Sequence, residues 1–323
     1  MMDKYETIFR ALVSAGRVAS VVSRELVAAE SVEKADRSPV TVADFAVQAI
    51  LCRALQKQFP GDAIVAEETS SLLRMHENEA LLKRVKAVIE TEIPAVPIDD
   101  VLDWIDAGRG KTGERFWTLD PIDGTKGFLR GQQYAIALGL IEGGKPVAGF
   151  LLCPNYPLVG ERKGVILYGE KGMGAFRSDL SAWNWAPVRV SPRLDIQHVR
   201  FAESYESGHS DHEGQSKVTR ALGISTPSVR MDSQAKYALI ATGEAEIYLR
   251  LKNPATPDYV ENIWDHAAGA IIVEEAGGKV TDSLGMPLQW MEPQMRRNNG
   301  VLVTNGVVHE RVVEAVRQLS PAS

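Results

Sequence analysis

Four places in the chain set carboxylates at the ends of expected elements, where side chains are displayed rather than packed. Asp44 follows a possible helix cap at Thr41, and Glu67-Glu68 follow the apolar run 62–66. Asp120-Pro-Ile-Asp123-Gly-Thr125 follows the strand-like run 116–119, and Asp265 stands in the first turn of an Ala-rich helix. Hard cations such as Mg²⁺ take oxygen ligands, and a site for two or more needs several carboxylates converging from different elements, at least one of them bridging. Glu67, Asp120, Asp123 and Asp265 are the residues to supply it. The DPIDGT segment is the most informative. A strand ending in Asp, then Pro, then Asp-Gly-Thr predicts a tight turn that aims two carboxylates three residues apart at one point and frees the Gly124 and Thr125 amides. Asp44 or Asp265 alone says less, because the helix dipole already favours an aspartate in a first turn.

Each of these residues needs an element to hold it. Ile8, Leu12, Ala15, Val18, Ala19, Val22 and Leu26 recur at three- and four-residue steps, which predicts an amphipathic helix over the first 29 residues. A second helix, from Thr41 as cap through DFAVQAILCRALQKQF, is stopped by Pro60-Gly61. Residues 62–66 predict a short buried strand. Between 69 and 115 the pattern gives only a helical run near 77–92, a proline-containing patch at 94–97 and an acidic, Gly-rich turn at 106–114. From 116 onward FWTLD, YAIALGLI, KPVAGFLLC and GVILYGEKGMGAFR predict strands, and Gly143-Gly144 between two apolar runs signals a hairpin in an antiparallel sheet.

After WNWAP at 183–187, short strands (VRFAES, SVRMDS, AEIYLRL, KVTD, GVLVTN) alternate with helices at 215–222, 234–242, 263–276 and 309–319. The reading is an N-terminal α+β domain over 1–187, carrying the antiparallel sheet and most candidate metal ligands, and a C-terminal α/β domain over 188–323. There is no internal repeat or low-complexity tract.

The 323 residues are 45% hydrophobic and 24% charged, an ordinary globular profile that excludes disordered and collagen-like classes. A formal charge of −6 argues against a nucleic-acid coat or a membrane-surface protein and requires local cations for any anionic substrate. Cys52 and Cys153 form no C-x-x-C and fit packed thiols in a reducing compartment. The acid-containing start lacks signal-peptide character, and no run reaches about 18 apolar residues. The expectation is a cytoplasmic protein without membrane or nucleic-acid partners, acting as a monomer or weak homo-oligomer.

Taken together, Glu67-Glu68, W-T-L-D-P-I-D-G-T-K-G-F at 117–128, I-W-D-H-A-A-G-A-I-I-V-E-E-A-G-G at 263–278 and S-P-V-T-V-A-D at 38–44 resemble the signatures of the inositol monophosphatase superfamily of metal-dependent, lithium-sensitive phosphatases. The resemblance runs from about residue 39 to 282 in the family's order. It implies a layered αβαβα sandwich of the inositol monophosphatase/fructose-1,6-bisphosphatase type, α+β and α/β in class. It also implies two to three Mg²⁺ ions: one on Glu67, Asp120 and the Ile122 carbonyl, a second on Asp120, Asp123 and Asp265, and a third leaning on Glu67 and, through water, Asp44. Asp44 and Thr125 take the role of orienting and deprotonating a metal-activated water. The Gly124 and Thr125 amides and the N-terminus of the 263–276 helix become phosphate donors.

The metal site does not choose among the family's phosphate esters. G-H-S-D-H at 208–212, M-D-S-Q-A-K-Y at 231–237 and A-E-I-Y-L-R at 245–250 resemble the 3'(2'),5'-bisphosphate nucleotidase branch. By that similarity His209, Ser233, Lys236 and Arg250 grip the nucleotide, with Lys236 and Arg250 on the 5'-phosphate that is not cleaved. An extra residue between His209 and Ser233 leaves His212 as the alternative, and the loop KNPATPDYVEN at 252–262 is slightly long for the branch. The implied reaction converts adenosine 3',5'-bisphosphate (PAP) to AMP and phosphate, with 3'-phosphoadenosine 5'-phosphosulfate (PAPS) as a further substrate. The alternatives are an inositol phosphate phosphatase and a non-catalytic phosphonucleotide sensor. S-x-x-K at 233–236 and K-T-G at 111–113 stand in the wrong order for penicillin-binding-type acyl transfer, and G-E-K-G-M-G-A at 169–175 is not a dinucleotide fingerprint.

Overall fold

The computed structural model describes residues 3–25, 31–33, 39–158, 163–180, 183–205 and 212–319. Helix α1 (Glu6–Glu25) turns Ile8, Leu12, Ala15, Val18, Ala19 and Val22 inward, as their spacing predicts. Leu26 lies outside the described residues. An antiparallel pair, β1 (Ser31–Glu33) and β2 (Pro39–Thr41), leads into α2 (Val42–Gln58). Every residue of α2 from Val42 to Cys52 is buried, so its polar members Asp44 and Gln48 must find partners inside the protein.

Strand β3 (Ala63–Ala66) follows, then α3 (Glu79–Ile89) and α4 (Ile98–Asp106). The sequence reading has no counterpart for α4, a nine-residue helix entered through Pro97 with Val101, Leu102 and Ile105 on its buried side. Next come β4 (Arg115–Asp123), α5 (Thr125–Leu129), β5 (Ala135–Glu142), β6 (Lys145–Pro157), β7 (Lys163–Glu170), β8 (Gly174–Asp179) and β9 (Ala186–Val188). They form a seven-stranded sheet in the order β3-β4-β5-β6-β7-β8-β9, antiparallel except for β3 beside β4. The Gly143-Gly144 hairpin is present, with Glu142 opposite Lys145 and both glycines at positive φ, 55° and 71°.

The rest of the chain is β10 (Phe201–Glu203), α6 (His212–Ala221), β11 (Val229–Arg230), α7 (Ala235–Ala241), β12 (Ile247–Arg250), α8 (Ala267–Glu275), β13 (Lys279–Thr281), β14 (Val301–Thr304) and α9 (His309–Leu319). Its five strands run β11-β10-β12-β14-β13, with β10 parallel to both neighbours and β14 antiparallel to both of its own. The single helix expected over 263–276 is divided. Ile263–Asp265 make a 3-10 turn, and α8 begins after His266, whose φ of −138° breaks the helical course.

Strand alternation stacks these elements in five layers. Leu138 and Leu140 of β5 face α1 to α4, whereas Ala135, Ala137 and Ile141 face α7 and α8. In the second sheet Tyr248, Val301 and Val303 join that middle helical layer, while Ile247, Leu249 and Leu302 pack beneath α6 and α9. The expected αβαβα sandwich is the observed fold.

A row of glycines sets how closely the middle layer approaches. Gly139, Gly149 and Gly169 lie side by side across β5, β6 and β7. A Cβ on Gly149 would stand 2.4 Å from the Ala268 carbonyl oxygen, and one on Gly169 2.8 Å from Ile272 Cα. The three glycines thus form a trench for α8, and the trench carries Asp265 to the end of β4.

Candidate active site

The acidic side of the site begins with a helix cap. Thr41 Oγ1 accepts from the Ala43 and Asp44 amides at 3.1 and 3.4 Å and donates to Asp44 Oδ2 at 2.6 Å, while Asp44 Oδ2 also accepts from Thr41 N at 2.8 Å. This capping box fixes the Asp44 carboxylate. One turn on, Gln48 donates to the carbonyls of Glu68 (2.6 Å) and Ile105 (2.9 Å) and accepts from Glu68 N at 2.9 Å. That clamp joins α2, the end of α4 and the segment carrying Glu67, whose own amide donates to Leu119 O of β4.

Asp120 and Asp123 both belong to β4 itself, which corrects the tight turn expected at DPID. Asp120 pairs with Ala137 and Asp123 with Ala135, so three steps on β4 match two on β5. The extra residue is a bulge between Asp120 and Asp123, in a stretch where Pro121 has no amide to donate. In a regular strand residues three apart face opposite ways; the bulge brings both carboxylates to the same side. The turn follows at Gly124, with φ of 86°.

The cluster is short of positive charge. Asp120 is 2% exposed, and its Oδ1 is buried without a hydrogen-bond partner among the described residues. Burial, with Glu67, Asp123, Asp265 and Asp44 around it, pushes its carboxyl well above the usual range. Asp265 is pushed up to about 8 by burial and by Asp123, Glu261 and Glu67, with Arg250 opposing. Burial raises Asp123 to about 6 against the pull of Lys236, the Gln234 amide and Arg250. An orphaned carboxylate oxygen inside a ring of four further carboxylates is an all-oxygen donor set, and it fits a hard divalent cation. The Ile122 carbonyl accepts the Thr125 hydroxyl at 3.1 Å, leaving its second lone pair.

The basic side arrives from the second sheet. A Cβ on Gly124 would lie 2.9 Å from Ser233 Cβ, so the turn after β4 rests directly on the start of the SQAK segment. Ser233 holds φ of 67° and the Gln234 amide donates to Asp123 Oδ2. Lys236 is 4% exposed, donates to Ser233 O at 2.8 Å and lies 5.1 Å from the Tyr248 ring centre. Burial lowers its pKa to about 8, with Asp123 partly restoring it. Arg250 ends β12. Burial works against its charge, and Glu261, Tyr259, Tyr248 and Asp265 more than compensate.

Glu261, Asp265 and His266 also bring ligand-type atoms within 4.8 Å of one another. Their donors are engaged elsewhere: His266 Nδ1 is 2.8 Å from the Tyr237 hydroxyl and Nε2 is 3.0 Å from Glu261 Oε2, while Glu261 Oε1 is 2.7 Å from Arg250 Nε. This is a bonded network behind Asp265 rather than a second cation site.

The structure thus gathers Asp44, Glu67, Asp120, Ile122, Asp123, Gly124, Thr125, Ser233, Lys236, Arg250 and Asp265 around one place. His209 lies outside the described residues, as does the side chain of His212. Cys52 and Cys153 are fully buried, and burial drives both thiols upward and out of reactivity. The sequence reading misses Glu261, Tyr259 and the Gln48 clamp; the one signal available was Glu261 placed four residues before Asp265. Among the described residues, no helix is long and apolar enough to cross a membrane.

Known proteins resemble this chain over almost its whole length. The model of the inositol monophosphatase family matches residues 3–320. A 3'(2'),5'-bisphosphate nucleotidase of Schizosaccharomyces pombe is 41% identical, with 93% of this chain and 89% of that one covered. Another of the same description, from Emericella nidulans, is 40% identical with 90% of each covered. Among solved structures, an IMPase of Thermotoga maritima superposes with a TM-score of 0.68 over 98% of both chains at 22% identity, a likeness of fold.

Proposed function

The chain belongs to the inositol monophosphatase family, and from that footing we propose that it is a 3'(2'),5'-bisphosphate nucleotidase, a phosphoric monoester hydrolase that converts adenosine 3',5'-bisphosphate to AMP and phosphate and accepts the phosphosulfate analogue PAPS. The observation that carries the substrate is the pair of cations, buried Lys236 and part-buried Arg250, set against the carboxylate cluster. An ester with a second, uncleaved phosphate gives those cations a partner, and an acidic protein must supply them locally.

Glu67, Asp120, Asp123, Asp265 and the Ile122 carbonyl would hold two to three Mg²⁺ ions in this reading. Bound Mg²⁺ supplies positive charge against the phosphate oxygens and acidifies water within the site. Asp44, fixed by its capping box, accepts the proton of the attacking water, and the Thr125 hydroxyl orients that water. Water attacks phosphorus in line, the bond from phosphorus to the 3' oxygen breaks, and the leaving alkoxide takes up a proton. The Gly124 and Thr125 amides at the start of α5 donate to the phosphoryl oxygens. Lys236 and Arg250 hold the 5'-phosphate, with Ser233 and His209 or His212 on the rest of the nucleotide. Lithium inhibits by taking an Mg²⁺ position, and the enzyme works in the cytoplasm.

The test is phosphate release from adenosine 3',5'-bisphosphate, inositol 1,4-bisphosphate and inositol 1-phosphate, side by side, with Mg²⁺, with chelator, and with Mg²⁺ plus Li⁺. Mg²⁺-dependent, lithium-blocked release favouring the nucleotide is expected. Preference for an inositol ester removes the substrate assignment and keeps the carboxylates; no release from any substrate turns the protein into a sensor.

A further inference from the structure

The two cations facing the carboxylates are held in different ways. Lys236 is tied within its own turn, to the Ser233 carbonyl. Arg250 depends on residues from the loop before the Asp265 turn: Glu261 Oε1 at 2.7 Å from Nε, and the Tyr259 hydroxyl accepting from Nη2 at 3.0 Å with its ring 5.5 Å from the guanidinium. The side chains of Arg250 and Glu261 are each 13% exposed, and the other Glu261 oxygen is anchored on fully buried His266. Nε, although 2.7 Å from Glu261 Oε1, makes no hydrogen bond, so Glu261 holds the guanidinium as a counter-charge.

We propose that Glu261 is a positioning residue that sets Arg250 for the 5'-phosphate and so makes the site selective for nucleosides phosphorylated at both the 5' and the 3' hydroxyl; this rests on the reading of Arg250 given above. The argument is electrostatic. A guanidinium this close to Asp265 and Asp123 is drawn toward them in a poorly solvated site, where it would be spent on the cation ligands. Glu261 offsets that pull from the other side and, being fastened to His266, cannot follow the arginine. The fork then keeps an edge for an incoming phosphate.

The experiment compares wild type, Glu261→Gln and Tyr259→Phe in steady-state kinetics on adenosine 3',5'-bisphosphate and 3'-AMP, with calorimetric binding of 5'-AMP as a readout independent of turnover. Glu261→Gln is expected to raise KM for the bisphosphate about thirtyfold and weaken 5'-AMP to a similar degree, while KM for 3'-AMP and kcat change less than about threefold. Tyr259→Phe, which removes only a hydroxyl from a 46% exposed residue, moves the same way by about threefold and carries the test should Glu261→Gln fail to fold. Equal KM increases on both substrates, or a kcat loss alone, overturn the positioning role. Wild type that turns over neither nucleotide overturns the nucleotidase reading itself, a result separate from either variant's behaviour.

Discussion

The acidic and basic halves of the site are built in opposite electrostatic states. Apart from Asp265, the carboxylates come from α2 and the edge of the seven-stranded sheet; burial and the carboxylates around it raise the Asp120 pKa, and one Asp120 oxygen has no partner among the described residues. The cations come from the second sheet and its helix, and each already faces an acceptor or an opposite charge, Lys236 at the Ser233 carbonyl and Arg250 beside Glu261, although Arg250 Nε makes no hydrogen bond. Stability alone would not leave a site so arranged, because uncompensated buried charge costs several kcal/mol per group. The acidic half gathers like charges that a cation would offset, whereas in the basic half Arg250 already faces an opposite charge of the fold.

The sharpest way to break that contrast is Asp120→Asn. Turnover should fall by about a thousandfold or more, and melting in chelator should hold or rise because a repelling charge is gone. Activity within about tenfold of wild type would remove Asp120 as a shared ligand. On the other half, Lys236→Ala should raise KM for the bisphosphate about a hundredfold while KM for 3'-AMP moves little. The lowered Lys236 pKa adds a pH signature. The amine loses its proton as pH rises through about 8, so KM for the bisphosphate should climb there unless bound phosphate holds the proton on. A flat KM profile for the bisphosphate across that range would count against Lys236 as its partner.

A smaller effect separates the halves by stability. Asp123 and Asp265 have folded-state values raised to about 6 and about 8, so each binds its proton more tightly folded than unfolded. Their stabilising contribution is complete below the ordinary carboxylate range and is lost as pH rises, first through 6 and then through 8. Chelator-treated protein should therefore melt several degrees lower at about pH 8.5 than at about pH 5.5, and saturating Mg²⁺ should cancel the fall. A melting temperature that follows the same course with and without Mg²⁺ would show that the carboxylates are not waiting for a cation.

The same division decides what was legible in the sequence. The acidic half is written in local signals: Thr41 as cap with Asp44 three residues on, an apolar strand running into DPIDGT, and an aspartate opening a helix. Lys236 and Arg250 were reached only through resemblance, because nothing local distinguishes a buried lysine at a helix start from a solvated one. Glu261 lies in a loop, and its importance exists only once Arg250 at the end of β12 and His266 before α8 are brought to it. The bulge between Asp120 and Asp123 and the glycine row beneath α8 are likewise cross-strand facts; the glycines within apolar strands are visible in the sequence, but their alignment needs the register. α4 is not legible because nine residues give only about two and a half turns of periodicity next to a proline-containing patch.

The finest test asks whether Asp44 is more than a cap. In Thr41→Val the side-chain shape is nearly kept while the hydroxyl that caps α2 and donates to Asp44 Oδ2 is lost. Losing the cap should cost about 1 kcal/mol of stability, measured by denaturant unfolding. If Asp44 also accepts a proton from the attacking water, the carboxylate freed of its 2.6 Å donor is less well aimed, and kcat should drop about fivefold with KM unchanged. Thr41→Ser, which restores the donor, should recover both. A stability loss with kcat intact would confine Asp44 to holding the end of α2, and the acidic half would then need another group to take the proton.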